Sequence, residues 1–175
     1  MKKFIEIAPE KFSANATDLI GNGWMLIAAG TREKFNAMTA SWGALGEMWG
    51  LPAAFVVIRP QRYTKEFVDA NARFSLSFPP AAFKKQMAYL GKVSGRDEDK
   101  IAKSGLMPLF DEATGTPFFA EARAVMICKK LYAQPMSGEF AIVPDAVKKW
   151  YPANDYHTLF IAQIEKMLVA ETDAA

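Results

Sequence analysis

The sequence predicts a mainly β protein, an antiparallel barrel with short helical insertions. Three observations predict it. At least six apolar segments have strand character and turn signals between them, the helical stretches are few and short, and aromatic residues reach 13% with thirteen Phe and four Trp. Hydrophobic residues make up 51% of the 175-residue chain, enough for a sizeable core in one domain, taken as residues 1–175.

Along the chain, Trp24-Met25-Leu26-Ile27-Ala28-Ala29-Gly30 reads as a buried strand, and Thr31 to Lys34 as a polar turn. The next strand runs near Ala37 to Trp42. Ala53 to Ile58 is a continuous apolar run with Val56, Val57 and Ile58, the pattern of a central strand buried on both faces. Phe74, Leu76 and Phe78 alternate with Ser75 and Ser77 at a period of two. Ala122 to Leu131 and His157 to Leu168 supply two more strands. For the helices, Thr64 is a candidate cap for a segment ending near Ala70, with Phe67 and Val68 facing inward. Ala81 to Leu90 follows two prolines and stops at Gly91. Asp97 is placed to cap a helix ending before Gly105, and Pro144 to start one through Trp150. No internal repeat or low-complexity tract interrupts the chain.

Composition narrows the chemistry. Twenty-one basic and nineteen acidic residues leave +2, so the charge footprint of a nucleic-acid binder is absent. The opening Met1-Lys2-Lys3-Phe4-Ile5 resembles the start of a leader, but Glu6, Pro9 and Glu10 interrupt it, and no apolar run approaches the roughly 18 residues of a spanning helix. One cysteine, Cys128, excludes an internal disulfide; in a predicted buried strand it reads as a core thiol, and a cytoplasmic setting is expected. With one histidine, His157, no C-x-x-C pair and no G-x-S-x-G elbow, neither a metal site nor a nucleophile triad is indicated. Walker A and G-x-G-x-x-G patterns are also missing. A chain this poor in reactive side chains takes its reactivity from an organic cofactor if it is an enzyme.

Three segments carry polar groups beyond a barrel's needs. In Asn36-Ala-Met-Thr-Ala-Ser-Trp-Gly43 small residues dominate a strand. They either let a planar ligand approach the backbone or let another strand pack closely, and Thr39 and Ser41 share a face. In Arg59-Pro-Gln-Arg-Tyr-Thr64 two guanidiniums stand at a helix start, which suits an anion or a solvated cap. In Ser94-Gly-Arg-Asp-Glu-Asp-Lys100 a tight turn carries Ser94, Arg96 and Lys100 towards either a phosphate or solvent.

In order and spacing these segments, with Phe74-Ser-Leu-Ser-Phe78, Glu121 to Tyr132 and Asp155-Tyr-His157, resemble the flavin reductase-like FMN-binding split-barrel family, in its flavoredoxin-type branch, over about residues 20 to 168. The resemblance implies a Greek-key split barrel and a homodimer with FMN near the subunit interface. It implies Met38, Thr39, Ala40, Ser41 and Trp42 along the isoalloxazine. Arg59, Arg62, Tyr63 and Thr64 would hold the ribityl phosphate region, with Ser94, Gly95, Arg96 and Lys100 completing its phosphate end. His157 would touch the ring edge or the incoming nicotinamide, or serve as a structural hydrogen-bonding residue. The implied activity is hydride transfer from NADH or NADPH to flavin and on to an acceptor. The alternative is electron transfer after reduction by a partner protein. One departure is Ala162-Gln163, where relatives often carry Gly-Glu.

Overall fold

The computed structural model describes residues 3–171. The strands are β1 (Phe4–Ile7), β2 (Met25–Gly30), β3 (Phe35–Ala40), β4 (Gly43–Met48), β5 (Leu51–Ile58), β6 (Arg73–Phe78), β7 (Pro108–Phe110), β8 (Pro117–Phe119), β9 (Ala124–Pro135) and β10 (Thr158–Ala170). Between them lie α1 (Tyr63–Ala70), α2 (Lys84–Lys92), α3 (Lys100–Ser104) and α4 (Pro144–Trp150). Eight strands form one antiparallel sheet in the order β3-β2-β6-β9-β10-β5-β4, with β1 added to the far half of β10; β7 and β8 form a separate hairpin. The expected mainly β Greek-key split barrel is what the chain builds.

Connectivity forces this sheet to roll up. Its two end strands, β3 and β4, are joined by Ser41 and Trp42 alone. The three steps from Ala40 to Gly43 reach at most about 10 Å, so the opposite edges of the sheet must come together there. They meet without pairing, and the barrel stays split along that seam. Register shifts at Ile161/Ala162 and Ile164/Lys166 in β10 supply local bending, as bulges do. Ala162 is fully buried beside the first of them, and Gln163 is half-buried opposite Lys129 and Ala53.

The barrel interior is filled by alternate residues of the strands, among them Met25, Ile27, Met38, Val56, Phe74, Leu76, Phe78, Met126 and Phe160. Each such side chain contributes about 1.5–3 kcal/mol by leaving water. Ser75 and Ser77 lie on the outer face and are equally buried, because the β7–β8 hairpin covers them. Ser75 donates to the Pro117 carbonyl at 2.5 Å, and Ser77 accepts from the Phe119 N–H at 3.3 Å. α2 packs through Met87 and Leu90 onto Leu26, Ala28 and Ala37, which brings its C-terminal end alongside β3.

Several sequence expectations need correction. β3 ends at Ala40, so Ser41 and Trp42 belong to the seam. Trp24 precedes β2 with a positive φ of 67°. β5 is not buried on both faces throughout, since Phe55 and Val57 remain half-exposed. α2 runs through Gly91 to Lys92. Thr64 does not cap α1: Arg62 holds the cap position, while the Thr64 hydroxyl accepts from Asn36 Nδ2 at 3.0 Å inside the protein. Asp99, not Asp97, caps α3, accepting from the Ala102 N–H at 3.1 Å, and Gly105 ends that helix with φ of 72°. Among the described residues, no helix is long and apolar enough to cross a membrane.

Candidate functional site

The seam opens into a cleft of about 210 Å³ lined by Met38, Thr39, Ala40, Ser41, Trp42, Val57, Arg59, Arg62, Trp150 and His157. Five of these are the consecutive small-residue segment, two are the paired arginines, and His157 precedes β10. Three stretches far apart in sequence therefore converge. β5 brings Arg59 at its end, and the Arg59–Thr64 turn brings Arg62 to the start of α1. Thr39 is fixed by donating to the Met87 carbonyl at 2.5 Å.

The remaining predicted residues sit behind Arg62, not in the cleft. Tyr63, Gly95 and Lys100 line another cavity of about 620 Å³, together with Asn36 of β3. Thr64 is buried against Asn36. The Arg96 guanidinium lies 4.7 Å over the Tyr63 ring, pairs with Glu66 and donates to the Gln61 carbonyl at 3.2 Å. Ser94 accepts from the Arg96 N–H at 3.2 Å. The turn approaches closely because residue 95 is glycine. A Cβ there would stand 2.5 Å from Asn36 Oδ1 and 3.1 Å from the Tyr63 ring. Asn36 cannot swing away without leaving Thr64. Gly95→Ala is therefore expected to lower stability by about 1–2 kcal/mol, read as a shifted urea midpoint with unchanged slope.

Two cations converge on the C-terminal end of α2. Arg62 Nη1 donates to the Gly91 carbonyl at 2.6 Å, and Lys100 Nζ donates to the Leu90 and Val93 carbonyls, each at 3.0 Å. Helix ends leave such carbonyls unpaired and favour positive charge. Lys100 is 3% exposed, and burial, with the nearby Arg62 charge, lowers its pKa to about 8. Burial also lowers the Arg62 pKa.

His157 is buried and hydrogen-bonded through Nδ1 to the Tyr151 hydroxyl at 2.8 Å. Burial and the Arg59 charge pull its pKa down to about 4 despite Asp155. The imidazole is neutral at physiological pH, with one nitrogen able to donate and the other to accept. Trp42 sits between aromatic neighbours: Trp150 edge-on at 5.0 Å and His157 at 5.2 Å. Cys128 is fully buried in β9, where burial raises its pKa, so the thiol is inert. No group of three or more His, Cys, Asp or Glu among the described residues is arranged to hold a metal.

The sequence reading assigned no site role to Gly91, Trp150 or Tyr151, and Asn36 entered it only as the first residue of the small-residue segment. Trp150 left one signal, a large aromatic residue at the end of the short helix expected after Pro144.

Comparisons agree with this architecture. The curated relative YddH of Escherichia coli K12, an uncharacterized protein, is 29% identical over 109 residues, 62% of this chain. That match spans 57% of the relative's own length. An FMN-binding domain of a flavin reductase-like enzyme from Shewanella baltica superposes with a TM-score of 0.71 at 21% identity, covering 97% of this chain and 78% of that one. Flavoredoxin of Desulfovibrio vulgaris (Miyazaki F) superposes with a TM-score of 0.66 at 25% identity, covering 85% and 70%. The flavin reductase like domain matches residues 17–175, and the chain belongs to that family.

Proposed function

We propose that the protein is an FMN-binding oxidoreductase of the flavin reductase type that takes hydride from NADH or NADPH. The observation that carries this reading is the single cleft in which the 38–42 segment, Arg62 and an aromatic wall converge. The donor set fits a phosphorylated planar ring. Ala40 and Ser41 present little bulk, so a ring can reach backbone N–H and C=O groups. Trp42 offers a flat neighbour, and Arg62 supplies a fixed positive charge. When bound, FMN supplies the two-electron chemistry that the side chains of this chain lack.

The protein's own contribution is placement and electrostatics. Backbone amides of Met38 to Trp42 would face the ring of a bound flavin and favour negative charge there. Arg62 anchors the phosphate, with Tyr63, Thr64, Ser94, Gly95, Arg96 and Lys100 shaping that end from behind. His157 stays uncharged and serves as a hydrogen-bonding group near the ring edge or the nicotinamide.

The cleft is smaller than the roughly 300–1,000 Å³ typical of ligand pockets, so part of the ligand lies outside it in a single chain. A homodimer completes the site on this reading. Between Met136 and Val143 the chain exposes Met136, Phe140, Ile142 and Val143, an apolar concentration that a second copy would cover.

The test is anaerobic titration of the FMN-loaded protein with NADH and with NADPH. Bleaching of the visible flavin band with at least one of them is expected. The likeness to flavoredoxin favours a second reading, an FMN electron carrier reduced by a partner protein. No bleaching by either nicotinamide, with rapid reduction by a ferredoxin-like donor, would select it.

A further inference from the structure

Arg59 follows the end of β5 and lines the cleft, yet both of its terminal nitrogens already have partners. Nη1 is paired with Asp155 Oδ2, and Nη2 donates to the backbone carbonyl of Trp150 at 2.6 Å. The guanidinium also lies 5.1 Å over the Tyr151 ring. Asp155 Oδ2 in turn accepts from Gln61 Nε2 at 2.8 Å, which ties it to the same turn. One guanidinium thus holds three residues of the stretch from the end of α4 to β10.

That stretch needs an anchor. α4 buries none of its residues, so no apolar face fixes it to the barrel. Trp150, its last residue, is nevertheless seated edge-on against Trp42 at 5.0 Å with rings 88° apart, and both line the cleft. Arginine suits the task, since its planar fork can serve a carboxylate and a carbonyl at once.

We propose that Arg59 is a positioning residue: through Asp155 and the Trp150 carbonyl it holds Trp150 against Trp42 as the aromatic wall on which the incoming nicotinamide ring packs. The identity of that incoming ring rests on the flavin reductase reading. The Arg59–Trp150 clamp does not.

The experiment compares wild type with Arg59→Ala, Arg59→Lys, Asp155→Asn, Trp150→Phe and the Arg59→Ala/Asp155→Asn double variant. In flavin-free protein the Trp42–Trp150 exciton couplet in circular dichroism is expected to vanish in Trp150→Phe and to weaken alike in Arg59→Ala and Asp155→Asn. Arg59→Lys is expected not to restore it, and the double variant to be no worse than either single change. In loaded protein the KM for the nicotinamide donor is expected to rise about tenfold with kcat nearly unchanged. The ratio of FMN to riboflavin affinity should stay at its wild-type value in Arg59→Ala. An intact couplet in Arg59→Ala, together with a selective loss of FMN over riboflavin, would overturn the proposal and make Arg59 a phosphate ligand. Wild-type protein that binds no flavin would end the functional reading alone, because the couplet still decides the clamp.

Discussion

Arg62→Ala is expected to weaken FMN binding by roughly 10–150-fold, the equivalent of one charge-assisted hydrogen bond lost, while riboflavin affinity changes by less than about threefold. Arg62 lines the cleft, is held at a defined position by the Gly91 carbonyl, and stands at the start of α1, where unpaired N–H groups add to its charge. Its partner is a neutral carbonyl, so the guanidinium keeps its charge and further donors for an anion. Fluorescence-quenching titrations with FMN and riboflavin on the same samples give the two affinities. Equal losses for both ligands would move the phosphate site elsewhere. Thr64→Ala should behave differently. Its hydroxyl serves the buried Asn36 side chain, so the change is expected to appear first as lost stability.

Acid should destabilise the protein through His157. The folded-state pKa is about 4, below the ordinary 6.5 of the unfolded chain. Between those values the unfolded chain takes up a proton that the folded one refuses, so stability falls as pH drops from 6.5 towards 4 and levels off below. The full drop amounts to about 3 kcal/mol. Urea unfolding at pH 7, 6, 5 and 4.5 measures it, and His157→Gln should flatten this part of the profile. Lowered carboxylate pKa values, such as that of Asp155 beside Gln61 and Arg59, act at still lower pH and remain in both proteins. A profile unchanged by His157→Gln would mean that the imidazole is readily protonated in the fold.

How much of this was legible in the sequence depended on the range of the interaction. The seam segment could be read from its run of small residues, and the Arg59–Thr64 turn from two arginines between an apolar run and a helix. Strand β4 could not. Gly43-Ala-Leu-Gly-Glu-Met48 has two glycines and no β-branched residue, and it is a strand because β5 pairs with it. Asp97, Glu98 and Asp99 offered neighbouring acidic caps, and only the geometry selects Asp99. Trp150 and Tyr151 stayed hidden because the arginine they contact lies some ninety residues away in the sequence.

The split in the barrel has a consequence for solubility. As the ends of the sheet, β3 and β4 each keep one backbone edge without a strand partner, and such edges template aggregation. α2 lies along β3, with Met87 accepting from Thr39 and Gly91 close to it. Glu47 puts a charge on β4 before the left-handed turn at Trp49 and Gly50. The free edge of β3 thus has a helix beside it, whereas the mostly exposed β4 relies on its one charge and the turn that ends it, which makes β4 the strand through which two copies would first associate edge to edge.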